Sequence, residues 1–172
     1  MLAPMRATAL LACATATLFA LAGLAGCGRA PEPPPRAPTS WTAAESATAA
    51  TKLMESAVRH QWISQWRARN QDRAPSLSFG PIEDRSNDRV PMAALRQAFA
   101  DELARVGADR LVLAGEGKGT VELSGVVSMT PEPTADGVRR NRFFVDLRIA
   151  EAETKDPLWT GSIELLVADP RP

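Results

Sequence analysis

The sequence predicts an α+β two-layer sandwich: a mainly antiparallel sheet of four to five strands with helices packed on one face. Three observations predict it. Apolar residues recur at three- and four-residue spacing in two segments, around 50–66 and 92–106. They alternate with polar residues in others, at 76–82, 120–129, 142–150 and 158–167. The last three of these follow one another through short connections, which implies antiparallel pairing. The sheet then has one polar and one apolar face, and two helices can cover the apolar one. The sequence contains no internal repeat.

The chain of 172 residues opens on a segment that reads as a leader. Arg6 supplies a positive n-region, residues 7 to 25 are apolar, and Leu24-Ala25-Gly26-Cys27 matches the lipobox pattern of a leucine, two small residues and a cysteine. We expect residues 1–26 to be a lipoprotein signal peptide, cleaved between Gly26 and Cys27, with Cys27 as the lipid attachment site. Two or more acyl chains, at about 0.8 kcal/mol per buried methylene, give stable membrane anchoring where one does not. Cys13 leaves with the leader, so Cys27 is the sole cysteine of the mature chain and an internal disulfide cannot form. Removal of 26 residues leaves 146, enough for one ordinary core. The leader holds one basic residue and no acid, leaving 19 basic and 20 acidic side chains. That balance gives no general attraction to nucleic acid or to anionic lipid.

Residues 27–40 form the lipidated cysteine and a tether. Five of the 13 residues from 28 to 40 are proline, which favours a solvated, extended form. At about 3.1 Å per residue the tether reaches about 40 Å. The folded domain is expected over residues 41–168, with a tail at 169–172.

Ser40 is the expected N-cap of a helix from Trp41 to about Asn70, whose apolar stripe is Ala50, Leu53, Met54, Ala57, Val58, Trp62 and Trp66. Pro75 closes the linker, and Ser76 to Ile82 reads as a short strand through Leu77 and Phe79. Residues 83–89, Glu-Asp-Arg-Ser-Asn-Asp-Arg, read as a polar loop. Asp88 is the expected cap and Pro91 the first-turn residue of a second helix, with Met92, Leu95, Phe99, Leu103 and Val106 buried and Gly107 as its C′ stop. Arg110 to Ala114 reads as a brief strand and residues 115–119 as a turn. Strands follow at Thr120–Met129, Arg142–Ala150 and Leu158–Val167. A polar loop containing Asp136-Gly137 joins the first two, and Thr154 to Pro157 turns between the last two.

The sequence shows no catalytic set. His60 is the only histidine and lies within the first helical pattern. No Cys/His/carboxylate group has metal-ligand spacing, and neither a G-x-S-x-G nor an H-E-x-x-H motif occurs. The run Gly115-Glu116-Gly117-Lys118-Gly119-Thr120 lacks the earlier glycine of a phosphate loop, has Gly after the lysine, and precedes a strand, so it reads as a turn. Glu83, Asp84 and Asp88 are interleaved with Arg85 and Arg89, which reads as mutual neutralisation on a solvated loop. The chain is therefore expected not to be an enzyme and to use no metal or other cofactor, and no small-molecule substrate suggests itself.

The run Phe79-Gly80-Pro81-Ile82-Glu83-Asp84-Arg85-Ser86 has a strand ending in Gly-x-Ile, a polar-Arg-Ser turn, and then a helix carrying Leu95-Arg96 and Ala98. With Val121-Glu122-Leu123-Ser124-Gly125-Val126-Val127, Val145-Asp146-Leu147-Arg148-Ile149 and Leu158-Trp159-Thr160-Gly161, this resembles the LpoB-type penicillin-binding protein activator lipoproteins. The resemblance covers most of residues 50–167, and the motifs that carry it are short. Only about 13 residues, 107–119, stand where the family has a further strand and helix, so it implies a reduced variant.

The resemblance implies an outer-membrane lipoprotein, facing the periplasm, that binds and stimulates a bifunctional peptidoglycan synthase in cell-wall synthesis. Gly28 rather than Asp after the lipidated cysteine agrees with the outer membrane. The alternative is a non-enzymatic accessory or assembly lipoprotein of another envelope machine, of curli-secretion or flagellar type. The expected partner-binding residues are Arg85 and Arg89, whose guanidinium groups can grip carboxylates through two hydrogen bonds. The competing reading is that Arg85 only holds its own loop together.

Overall fold

The computed structural model describes residues 39–107, 109–115, 118–132 and 139–169. All lie within one compact unit, Arg36–Pro172. The leader, the lipobox, the Asp136-Gly137 loop and the last tail residues lie outside the described residues.

Helix α1 spans Ala43–Arg59. Its cap is Thr42, not Ser40. The Thr42 side chain accepts a hydrogen bond from the Ala44 N–H, and the Glu45 carboxylate accepts from the Thr42 N–H at 2.8 Å, a capping box. Ser40 is engaged elsewhere, as described below. Ala49, Ala50, Leu53, Met54, Ala57 and Val58 form the buried stripe.

The expected single helix to Asn70 is two. His60 takes ψ 149°, an extended value, and the chain restarts as α2, Trp62–Arg69. The break is satisfied locally. The Trp62 N–H donates to His60 Nδ1 at 3.2 Å, and the Trp62 indole N–H donates to the Ala57 carbonyl at 2.9 Å. The indole thus occupies one of the carbonyls that a helix end leaves open. Trp62 and Ile63 are buried beside the stripe of α1.

Strand β1, Ser76–Arg85, runs further than expected and takes in Glu83, Asp84 and Arg85. Its pairing is interrupted between Phe79 and Ile82. Pro81 has no N–H to give the ladder, and the Gly80 carbonyl instead accepts from Arg96 Nη2 at 2.9 Å. Helix α3, Met92–Val106, follows, with Pro91 itself as N-cap, so Asp88 is not its cap. Gly107 ends α3 as C-cap in the right-handed region, not as a left-handed C′ residue. Glycine is needed there for space: a β-carbon would lie 2.4 Å from the Leu111 carbonyl oxygen.

Strand β2 is only Val112–Leu113, followed by β3, Val121–Glu132, β4, Arg140–Glu151, and β5, Pro157–Ala168. The sheet order is β2-β1-β3-β4-β5. β3, β4 and β5 are antiparallel, as expected, whereas β1 is parallel to both β2 and β3. The β1–β2 connection is the crossover that parallel pairing requires, and α3 supplies it. The described part of the 107–119 stretch thus contributes to the sheet only this two-residue edge strand.

The helices pack on one face. Leu53, Phe99, Leu103, Leu123, Phe143, Val145 and Ile149 are at most 1% exposed in a continuous core. Each such side chain contributes about 1.5–3 kcal/mol of burial. Trp41 meets Phe143 edge to face at 5.0 Å and donates its indole N–H to Ser46 Oγ at 2.8 Å. Gly161 explains the Trp-x-Gly pattern: a β-carbon there would lie 2.2 Å from the Trp159 ring, which folds over it. Arg105 ties the two long helices together, bonding Glu102 on α3 and Glu55 on α1. The hydrogen bond from Arg105 holds the Glu102 carboxyl below its ordinary range, and Glu102 in turn, with Glu55, raises the Arg105 guanidinium. The other sheet face is polar. Arg142 bridges Glu132 and Glu164 on it, and the hydrogen bond to Glu132 raises the Arg142 guanidinium. No helix among the described residues is long and apolar enough to cross a membrane.

Candidate functional site

The segment from Asp84, near the end of β1, through the loop that follows to Val90 is held from inside. Asp84 Oδ1 accepts from the Ser86 N–H at 2.9 Å and from the Ser86 hydroxyl at 2.5 Å, while Oδ2 accepts from the Val90 N–H at 2.9 Å. The Ser86 hydroxyl oxygen accepts from the Asp88 N–H at 3.1 Å. Asp88, 3% exposed, reaches back to the start of the domain. Its Oδ2 accepts from the Ser40 N–H at 2.9 Å, the Ser40 hydroxyl at 2.5 Å and the Thr39 hydroxyl at 3.2 Å. Asn141 on β4 donates to Ser40 Oγ at 3.1 Å. Hydrogen bonds to a buried carboxylate are of the strong kind, each contributing about 1.5–3 kcal/mol.

The loop alternates. Ser86, Asp88 and Val90 are buried; Asn87 and Arg89 are exposed. Both exposed residues take left-handed backbone angles, φ 60° and 56°. Asparagine takes such angles readily, but for arginine they cost about 1 kcal/mol or more and persist where surrounding contacts enforce them. The Arg89 side chain makes no ion pair with any described residue. Arg85 stands at the end of β1 and bonds its own neighbour Glu83, at 2.9 Å from Nε and 2.5 Å from Nη2. The two arginines expected to meet a partner therefore differ: Arg89 is presented outward without a partner among the described residues, and Arg85 is already half satisfied. Cys27 and Gly26 lie outside the described residues.

Asp84, Asp88 and Ser40 are the residues that sequence reasoning placed wrongly. The period-two alternation of 86–90 was the available signal, masked by the resemblance of Asp88 before Pro91 to a helix cap. At the opposite end of the sheet, two adjoining depressions of about 330 Å³ and 620 Å³ share Trp66, Asn70 and Thr120. Arg69, Arg73 and Lys118 line them, with Glu151 and Glu153 close by. Trp66 is thus largely core but forms a floor here. Lys118 and Gly119 of the glycine-rich turn border the larger depression. Gly119 packs against β1, where a β-carbon would lie 2.4 Å from the Ser76 carbonyl oxygen. No group of three or more potential metal ligands occurs among the described residues.

No protein-family model matches the chain, and no curated protein matches it. Among solved structures it is similar to the lipoprotein GNA1162 of Neisseria meningitidis, with 11% identity and a TM-score of 0.41, covering 56% of this chain and 85% of that one. It is similar to the LpoB C-terminal domain of Escherichia coli, with 9% identity and a TM-score of 0.39 over 62% of this chain and 98% of the other. A third similarity is to PelC of Paraburkholderia phytofirmans, crystallised as a dodecamer, with 15% identity and a TM-score of 0.35 over 58% and 79%. Overlaps this loose bear neither on activity nor on partner.

Proposed function

We propose that this chain is a non-enzymatic, lipid-anchored envelope protein that binds and stimulates a bifunctional peptidoglycan synthase, presenting the 84–90 loop to it. The observation that carries the reading is Arg89. A left-handed arginine faces outward from a loop whose every second residue is bonded inward. A backbone fixed from beneath presents the cation at a set position on the surface, where its guanidinium can grip a carboxylate through two hydrogen bonds, although the side chain itself must still be ordered on binding. Glu83-bound Arg85 flanks it and exchanges one carboxylate for another at small cost. The lipobox supports the anchor at Cys27, Gly28 supports the outer membrane, and the short motifs of the strands support the synthase as partner.

The test is a pull-down of bifunctional synthases from the same envelope with residues 28–172, alongside a glycan polymerisation assay. Binding and a faster rate are expected, and both are expected to fall at least tenfold in the Arg85→Glu/Arg89→Glu variant with the fold intact. Absence of binding to any synthase by the folded domain overturns the reading and moves the weight to another envelope assembly. Binding that survives both substitutions removes the loop from it.

A further inference from the structure

The two edges of the sheet are finished differently. On one side β2 is two residues long, a blunted edge. On the other, β5 is a full 12-residue strand, and no described residue pairs with its outer row of N–H and C=O groups. Long edge strands are normally protected by lysines, bulges, inward charges or a covering segment. From Leu158 to Ala168 the one charge is Glu164, already neutralised by Arg142 at 2.5 Å. Helix α1 packs on the core face of β5, with Leu53 beside Gly161, but no helix or strand among the described residues pairs with its outer backbone. Val145 and Phe143 on β4 are fully buried, but their cross-strand neighbours Ile163 and Leu165 are only half-buried, and Leu166 is 51% exposed.

We propose that β5 pairs antiparallel with β5 of a second copy of this chain about a two-fold axis at Ile163, joining two sheets into one. The occupant follows from the strand's own pattern. An edge without free charge selects a neutral, apolar strand, and in this register β5 complements itself. On the core face Leu165 lies opposite Gly161 of the second copy, against the Trp159 ring that already covers that glycine, and Val167 lies opposite Trp159. On the polar face Glu164 lies opposite Ser162, a hydrogen-bonding pair, and no like charges face each other. Shifting the axis one residue on sets Glu164 against Glu164, which like-charge repulsion disfavours. The pairing is isologous, so it closes at two copies and leaves no β5 edge open.

Residues 28–172 hold the whole compact unit and no cysteine, which makes introduced thiols unambiguous. The first measurement is light-scattering mass against concentration. The mass is expected to rise toward twice the monomer by near-millimolar concentration, and Leu166→Lys, at an exposed position, is expected to hold it at the monomer with unchanged circular dichroism. The second is crosslinking under mild oxidation. Ser162→Cys and Glu164→Cys are each expected to stay uncrosslinked alone and to form a disulfide dimer when mixed, because residues directly opposite have Cβ atoms about 4.5–5.5 Å apart and diagonal ones about 7–8 Å. A monomer at every concentration with no crosslink in the mixture overturns the proposal. Crosslinking of either single variant as readily as the mixture overturns it too.

Discussion

The two ends of the sheet are both rich in charge and hold it in opposite ways. At the 84–90 end a buried carboxylate, Asp88, gathers donors from Thr39 and Ser40, and Asn141 braces Ser40 from a third element. At the other end the charges pair on the surface: Arg67 with Asp72, Arg69 with Glu151, and Lys155 with Glu122. Exposed pairs of that kind contribute about 0–1 kcal/mol, whereas removing one partner of a buried charged network leaves donors stranded and costs several times more. Both ends contain left-handed residues, Asn87 and Arg89 at one, Gln71, Asp72 and Lys155 at the other. Only at the first is the strain enforced from beneath by buried groups. The lesson is that charge density alone does not mark a site; what sets this loop apart is a backbone fixed by buried groups beneath an outward cation, unbonded among the described residues.

The largest expected effect is at Asp88. Asp88→Ala strands the Ser40 N–H and hydroxyl and is expected to destabilise the domain by about 3 kcal/mol, a fall near 10 °C in Tm by calorimetry. If it behaves like a surface substitution, the loop is not held as described. Next is the clamp between the long helices. The Glu102 carboxyl is held below its ordinary 4.5 by the Arg105 hydrogen bond. Its contribution is therefore whole above that value and disappears as pH falls through the lowered folded value. Glu102→Gln is expected to cost about 1 kcal/mol at neutral pH. The gap between the two proteins should close as denaturation is followed downward from pH 4.5. A gap that widens in acid contradicts the assignment.

Arg89→Gly sharpens the comparison further. Glycine adopts the left-handed angle freely, so stability is expected to rise by about 1 kcal/mol while partner binding falls. A loss of stability shows that the Arg89 side chain packs rather than waits. The smallest effect belongs to the far end: Asp72→Ala, removing the exposed partner of Arg67, is expected to leave the thermal midpoint unchanged within error. A clear drop erases the contrast between the two ends.

Much of this architecture could be read from residue order. The alternation Phe143, Val145, Leu147, Ile149 admits only a half-buried strand, and the short turn at 154–157 forces its antiparallel neighbour. The break at His60 escaped because Val58, Trp62 and Trp66 keep helical spacing straight through it, and periodicity is blind to one residue's ψ. The parallel placement of β1 escaped because a lone strand's apolar pattern does not encode its neighbours; the packing of α3 decides them. Asp88 escaped because a carboxylate three residues before a proline-led helix is locally a good cap. Only the fold brings Ser40 within 2.5 Å of it, across 48 residues of chain.

The most direct test of the central claim is a binding titration of residues 28–172 against purified bifunctional synthase, run in parallel with Arg89→Gly. The account predicts saturable binding by the parent chain and at least tenfold weaker binding by a variant that melts no lower. Equal affinity from both proteins would contradict it.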